Sequence, residues 1–277
     1  KRPYNNRQGN PAWFFGKEGG ALVLTVHIDN REIGLRLFSK ERPLTRASVA
    51  TDPDATADQL AVTLGAVLRL HSVPAEEVEG VIISSVVPSA SAPAKKAFGL
   101  LFAKEALMVG AGIKTGLNIR LDNIASVGSD FICTAVGALL EFRPPLVIMN
   151  MAGATTFCAI DGTGALVGRS ILPGVEASLR SLCETSAQLP EVSFEPGCRL
   201  LGKGTADAVR SGILYGTVAM AEGMLERYEK AIGPAALVAT GDIAGEILPL
   251  CRKPFAFRPD LLHKGLYALY QKNGRDS

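Results

Sequence analysis

The chain lacks the features that mark membrane-spanning and secreted proteins. Its apolar runs fall short of the roughly 20 residues that a membrane helix needs, and its first residues do not show a basic segment followed by an apolar one. Its five cysteines show no Cys-x-x-Cys spacing, and an odd count argues against a full set of disulfides. We therefore expect free thiols, no membrane partner and a cytoplasmic location.

The net charge of the chain is also small. The formal charge is +2 over 277 residues, which implies neither a nucleic-acid partner nor attraction to an anionic membrane. Apolar residues, by contrast, make up 47% of the chain and charged residues only 20%. This composition predicts a well-filled core, and the length is sufficient for one large domain or two of ordinary size.

Strand and helix patterns alternate along most of the chain. Short apolar or alternating runs predict strands over residues 21–28, 33–38, 81–87, 106–109 and 237–240. Apolar residues at helical spacing predict helices over residues 56–71, 94–102, 127–142, 175–185, 206–232 and 261–270. Asp54 or Thr56 could cap the first helix and Thr205 the long one, while residues 168–174 are predicted to form a loop.

A β-hairpin is predicted over residues 146–160. Its first apolar run ends at Asn150, and a turn of small residues that includes Gly153, Thr155 and Thr156 leads into the second run. The backbone N–H groups and the two hydroxyls of such a turn would suit a phosphate. The alternative is that both hydroxyls form hydrogen bonds within the hairpin.

Two similar halves are predicted, over residues 21–125 and 126–277, after an N-terminal extension over residues 1–20. Each half starts with a hairpin and continues through helices to a later parallel strand. The predicted fold class is therefore α/β, with two halves that each contain a mixed sheet flanked by helices, and with a cleft between them.

Eight short motifs follow one another along the chain. They are GVIISSVVP at 80–88, GAGIKTG at 110–116, DN and VGSD within 122–130, ATTF at 154–157, ILPG at 171–174, LP at 189–190, GKGT at 202–205 and SGILYG at 211–216. In this order they resemble the type III pantothenate kinases, of the acetate kinase, sugar kinase, Hsp70 and actin superfamily. The resemblance covers about residues 21–272 and implies ribonuclease H-like or actin-like halves.

The resemblance implies ATP-dependent phosphorylation of pantothenate, the first step of coenzyme A biosynthesis. It implies ATP and Mg2+ as cofactors, often with a monovalent cation, and a dimer whose active site lies partly at the interface.

Asp130 matches the residue that takes the proton from the substrate hydroxyl, although a carboxylate in a first helical turn also interacts favourably with the helix dipole. The substrate-binding positions are Gly110, Gly112, Lys114, Gly128, Ser129, Asp130 and Thr205, the last of which would reach across the dimer. The nucleotide-binding positions are Asn30, Gly153, Thr155 and Thr156.

The first phosphate loop departs from the family pattern, which is D-x-G-N-T. Here His27 replaces the carboxylate, Asp29 replaces the glycine and Arg31 replaces the threonine. A carboxylate at position 29 repels a phosphate, and its side chain prevents the close approach of phosphate to the backbone that glycine permits. Arg31 either binds a phosphate or pairs with Asp29 or Glu32.

The second half of the chain also lacks charged residues that the family pattern has. Asn150 and Cys158 replace the two carboxylates of the second loop, so we expect no protein cage for a metal ion. Phe131 replaces the arginine that follows Asp130 in the family. The substrate side is better preserved than the nucleotide side.

Three interpretations are open at this point. The chain is a degenerate subunit that forms a composite site with an intact paralogue, so that it is inactive or very weak alone. Alternatively, it is an inactive pseudokinase that binds pantothenate or a related metabolite as a sensor or regulator. A homodimer that is fully active with unusual ligands is the third, and it requires that several charged positions changed together without loss of function.

Overall fold

The computed structural model describes residues 21–274, which form two compact units. One unit contains the described residues up to Lys114 together with those from Leu266 onward, and the other contains Thr115–Gly265. The extension predicted over residues 1–20 lies outside the described residues. The predicted domain boundary stays a prediction.

The first unit contains a five-stranded sheet in the order β3-β2-β1-β4-β5. Its strands are β1 (Leu22–Ile28), β2 (Glu32–Ser39), β3 (Arg42–Ala50), β4 (Val78–Ser85) and β5 (Leu107–Met108). Strands β1, β2 and β3 form an antiparallel meander, whereas β4 runs parallel to both β1 and β5. The central strand β1 is covered on both faces, which explains why its sequence is almost continuously apolar.

Helices α1 (Ala57–Leu70) and α2 (Pro88–Phe102) pack against this sheet in one apolar cluster. The hydroxyl of Thr56 accepts a hydrogen bond from the N–H of Gln59, and the Gln59 side chain accepts one from the N–H of Thr56. This reciprocal pair makes Thr56, rather than Asp54, the cap of α1.

The second unit contains a six-stranded sheet in the order β11-β10-β7-β8-β9-β6. Its strands are β6 (Asn118–Ile119), β7 (Leu146–Met151), β8 (Ala154–Ile160), β9 (Ala165–Pro173), β10 (Ala236–Thr240) and β11 (Ala256–Phe257). Strands β7, β8 and β9 form an antiparallel meander, and β10 runs parallel to β7. The later helices of the chain are α3 (Ser129–Glu141), α4 (Val175–Thr185), α5 (Thr205–Ile232), α6 (Ala244–Ile247) and α7 (Leu261–Asn273).

Two separate apolar clusters fill the two faces of this second sheet. On one face α3 contributes Phe131, which packs in a cluster with Ile148 and Cys158. On the other face α5 contributes Leu214, which packs in a cluster with Phe157. Neighbouring residues of β8 therefore point to different clusters, as the period of two in a strand requires.

The predicted α/β class, with two mixed sheets flanked by helices, and most predicted elements are confirmed. Both hairpins are present, as β1–β2 and β7–β8, and the later strands β4 and β10 are each parallel to the first strand of the hairpin in their own sheet. The five cysteines are free thiols. Among the described residues, no helix is both long and apolar enough to span a membrane.

Two local predictions are wrong. Residues 168–174 were predicted as a loop, but Gly168 to Pro173 belong to strand β9 and pair with β8. The two-residue strand β6 covers only the start of β9, so the rest of β9 is an edge that tolerates proline and polar residues. Thr205 is the first residue of α5 rather than its cap. Gly204 occupies the cap position, and as a glycine it has no side chain that could cap the helix.

Candidate functional site

The N-terminus of α3 presents the carboxylate of Asp130 in its first turn. The cap residue is Gly128, and a β-carbon on it would lie 2.3 Å from Oδ1 of Asp130. A side chain at position 128 would therefore displace this carboxylate from its place beside the helix N-terminus, where the helix dipole favours negative charge. Ser129, between them, is buried.

The sheet face that α3 covers contains two rows of paired residues. One row is Ile148, Cys158 and Arg169, and the other is Asn150, Thr156 and Ile171. Directly paired residues of adjacent strands point to the same face of a sheet. The cross-strand register therefore brings both positions that lost a carboxylate, 150 and 158, to the face that α3 covers.

A small cavity lies between α3 and these two rows. Its volume is about 10 Å3, which is room for about one water molecule. Its lining residues are Asp130, Phe131, Thr134, Ile148, Asn150, Thr156 and Cys158. The cavity is too small for a substrate, so an acceptor that reaches Asp130 has to lie outside it.

Uncharged groups surround Asp130 in this cavity. Burial raises the pKa of the Cys158 thiol to about 12, and the nearby negative charge of Asp130 adds to the increase. Cys158 is therefore a neutral thiol at physiological pH. The Oγ1 atom of Thr134 is buried and has no hydrogen-bond partner among the described residues, so it is available to a water molecule in the cavity.

Arg169 on β9 places a guanidinium beside the residue that follows Asp130. Its Nη2 atom donates hydrogen bonds to the carbonyl oxygen and the Oγ atom of Ser126, at 3.0 and 3.1 Å. Its guanidinium carbon lies 5.4 Å from the centroid of the Phe131 ring. The sequence prediction missed Arg169 because it assigned this stretch to a loop, whereas strand alternation pairs the residue with Cys158.

The first phosphate loop, in the other unit, is closed by its own aspartate. The Oδ1 atom of Asp29 accepts hydrogen bonds from the backbone N–H groups of Arg31 and Glu32, at 2.7 and 2.8 Å. The hydroxyl of Thr51 donates to the carbonyl oxygen of Asp29 at 2.7 Å. The backbone donors of this turn are thus satisfied by a carboxylate of the chain itself.

His27 in the same region is held by the neighbouring strand. Its Nδ1 atom forms a hydrogen bond of 3.3 Å with the Oγ atom of Ser84, which β4 places directly beside it. Asn30, the asparagine that the family pattern also has, lies exposed in the turn between β1 and β2.

The glycine-rich loop at residues 110–116 is open and anchored at one point. No heavy atom of the described residues lies within 4 Å of a β-carbon built on Gly110 or Gly112, and Gly112 has a φ of +91°, which favours glycine. The backbone of Lys114 exchanges two hydrogen bonds with the side chain of Asn273 on α7, at 2.8 and 3.1 Å.

The remaining predicted positions of the second unit do not all gather at Asp130. Thr156 lines the cavity with Asp130, but Thr155 points to the opposite sheet face, where its Oγ1 atom is buried without a partner among the described residues. Gly153 is exposed in the hairpin turn, and Thr205 is exposed at the start of α5.

The residues present do not fit a magnesium ion held by the protein. Within residues 21–274, no group of three or more histidine, cysteine, aspartate or glutamate side chains could hold a metal ion. Magnesium prefers carboxylate oxygens and waters, whereas positions 150 and 158 offer an amide and a neutral thiol.

Comparison with known proteins places these features in a family context. The model of the type III pantothenate kinase family matches residues 23–227. A type III pantothenate kinase from Exiguobacterium sibiricum is 32% identical over 252 residues, which are 91% of this chain and 100% of that relative. One from Listeria welshimeri is 33% identical over 253 residues, which are 91% of this chain and 98% of that relative.

Similarity to a solved structure supports the fold but not the function. A ROK family glucokinase from Streptomyces griseus, in complex with glucose and AMPPNP, aligns with a TM-score of 0.54 at 15% identity. The alignment covers 91% of this chain and 100% of the glucokinase. This likeness agrees with the mixed α/β architecture of two sheets flanked by helices.

Proposed function

The chain belongs to the type III pantothenate kinase family, and from that premise we propose that it serves the ATP-dependent phosphorylation of pantothenate as a degenerate subunit. In this role it pairs with an intact paralogue and contributes to a composite site. The paralogue binds the nucleotide and its metal ion, while this chain binds pantothenate and supplies residues to its partner. Alone, the chain is inactive or very weak.

The proposal rests chiefly on one observation, the hydrogen bonds that Asp29 makes within the first phosphate loop. The N–H groups of Arg31 and Glu32 already bind an anion, which is the carboxylate of the chain. A phosphate that approached them would have to displace this carboxylate and would meet its negative charge. Phosphoryl transfer depends mainly on positioning and on neutralising charge, and this loop supports neither for ATP.

The acceptor side, by contrast, keeps a usable base. The Asp130 carboxylate is half-buried in the first turn of α3, and Gly128 gives it space. A carboxylate at this position accepts the proton of a bound alcohol as the oxygen attacks a phosphoryl group. Thr205 is exposed at the start of a long helix, where its hydroxyl is accessible to a partner chain.

A kinase assay with and without an intact paralogue tests the proposal. The purified chain alone should phosphorylate no pantothenate, and co-expression with the paralogue should give an active, stable heteromer. Thr205→Ala should lower the activity of the heteromer, whereas Thr63→Ala, an exposed threonine on α1, should leave it unchanged. Robust turnover by the lone chain would contradict the proposal.

The same experiment separates the subunit from a stand-alone regulator. A homodimer that ignores the paralogue, yet binds pantothenate in calorimetry, would favour the inactive pseudokinase that senses pantothenate or a related metabolite. The closed first loop and the preserved Asp130 agree with both roles, so partner choice decides between them.

A further inference from the structure

We propose that Arg169 binds the carboxylate of the acceptor substrate and replaces, from strand β9, the arginine that the family has at position 131. The inference rests on the proposed function, because it takes the acceptor to be pantothenate or a related hydroxy acid. Arg169 is then a residue that determines specificity for an acid over its neutral analogues.

The first support is the position of the guanidinium. It lies over the ring of Phe131, 5.4 Å from the centroid, and Phe131 directly follows Asp130 in the first turns of α3. The ring that replaced the family's arginine thus provides the surface on which another arginine stacks. A positive charge therefore lies beside residue 131, although it comes from strand β9 rather than from α3.

The second support is that the guanidinium is held while part of it stays available. Nη2 is occupied by the two hydrogen bonds to Ser126, which fix the plane of the group. Within residues 21–274, the Nη1 and Nε atoms of Arg169 donate to no protein acceptor. A planar guanidinium held in this way is well suited to pair with a carboxylate.

The third support is the charge balance around Asp130. None of the described residues that line the cavity is cationic, and Cys158 is a neutral thiol. An acidic acceptor that brings its alcohol to Asp130 therefore meets one negative charge, which disfavours binding of a second. Arg169 is paired with Cys158 across the strands and supplies the compensating charge on the same sheet face.

Calorimetry with two ligands tests this assignment on the full chain. The ligands are pantothenate and its neutral primary amide, which differ only in the carboxylate. The wild type should bind the acid more tightly than the amide. Arg169→Gln should weaken acid binding at least about tenfold, as expected for one lost charged hydrogen-bond pair, and should change amide binding less than about twofold.

Three further variants show whether the effect comes from the charge rather than from the fold. Arg169→Lys should retain part of the preference for the acid, because it keeps the charge but not the planar group. The double variant Arg169→Gln/Phe131→Arg returns the guanidinium to the family's position and should recover the preference. Arg120→Gln removes an exposed arginine that pairs with Asp161 in the same unit and should leave both affinities unchanged. Thermal unfolding of each variant confirms that it is folded.

Each outcome decides the proposal. An equal loss of acid and amide binding in Arg169→Gln would mean that Arg169 only supports the loop at Ser126, and would overturn it. A wild type that binds both ligands equally would overturn it as well, while leaving the proposed function intact. A wild type that binds neither ligand would refute pantothenate binding itself and this inference with it. If Arg169→Gln fails to fold, an unchanged preference in Arg169→Lys, without recovery in the double variant, would reject the assignment.

Discussion

A β-carbon on Gly265 would lie 1.8 Å from the carbonyl oxygen of Cys133, so helices α7 and α3 meet there without a side chain between them. The contact is reciprocal, because a β-carbon on Gly137 would lie 2.1 Å from the carbonyl oxygen of Leu261. Both distances are far below any that real β-carbons show. The two glycines therefore allow α7 to pack closely against the helix whose first turn holds Asp130.

Gly265→Ala should destabilise the protein by about 3 kcal/mol, the upper end for overpacking, because the obstacle is backbone that cannot rotate away. The matched control is Gly99→Ala in α2, where the nearest heavy atom to the new β-carbon is 3.8 Å away. That variant should gain up to about 1 kcal/mol from helix propensity. Urea unfolding measures both, and similar free energies of unfolding would show that the α3–α7 contact relaxes easily.

Asp29→Gly should raise the affinity of the chain for ATP. The substitution frees the N–H groups of Arg31 and Glu32 and removes the negative charge that faces a phosphate. Two donors released to a charged ligand are worth about 1.5–3 kcal/mol each, so we expect at least about a tenfold gain in calorimetry.

Asp29→Asn separates the two causes of this effect. Its amide oxygen can accept the same two hydrogen bonds, but it carries no charge. Affinity for ATP should therefore rise in the order wild type, Asn, Gly. Tight ATP binding by the wild type, with no change in either variant, would show that the first loop is open to nucleotide.

Thr155→Val should leave the free energy of unfolding unchanged or raise it slightly. The Thr155 hydroxyl is buried without a partner among the described residues, so valine of nearly equal shape removes an unmet polar group. The matched control is Thr25→Val, because the buried Thr25 hydroxyl donates to the carbonyl oxygen of Arg36 at 3.2 Å. The control should lose about 1–3 kcal/mol. A marked loss of nucleotide binding in Thr155→Val alone would support the predicted phosphate-binding role of this residue.

Elements with a local signal could be predicted from the sequence. The hairpins follow from apolar runs interrupted by small or polar turns, and α1 follows from helical periodicity after a Thr56-x-x-Gln59 capping box. Strand β9 lacks such a signal, because its second half is an edge where glycine, arginine and proline are tolerated. A loop is predicted there because of the glycine and proline content, whereas the backbone hydrogen bonds to β8 make the segment a strand.

The candidate site shows the same limit. The place of Asp130 in the first turn of α3 could be predicted from its motif, because the neighbours that set it are adjacent in sequence. The position of Arg169 over Phe131 depends on the register between β8 and β9, which no short string specifies. The charge of Asp29 could be read from the sequence, but its hydrogen bonds to two backbone N–H groups could not, because they depend on the turn geometry.

The buried thiol of Cys158 should make the protein sensitive to alkaline pH. Its pKa is about 12 in the folded state, against 9.0 for an ordinary thiol, because burial and the charge of Asp130 disfavour the thiolate. The unfolded chain therefore releases this proton from about pH 9, while the folded chain retains it until about pH 12. The stability contribution is complete below pH 9 and is lost as the pH rises towards 12.

Cys158→Ala should abolish this component of the pH dependence, at a cost of about 2 kcal/mol at pH 7 for the lost packing. The measurement is urea unfolding at pH 7, 9 and 10.5 under reducing conditions, and the difference between wild type and variant should shrink as the pH rises. Cys251→Ala is the control, since burial and Glu222 raise the pKa of that thiol only to about 11, which gives a narrower window. A difference that stays constant for Cys158→Ala would mean that water reaches the thiol, and hence that the cavity beside Asp130 opens to solvent.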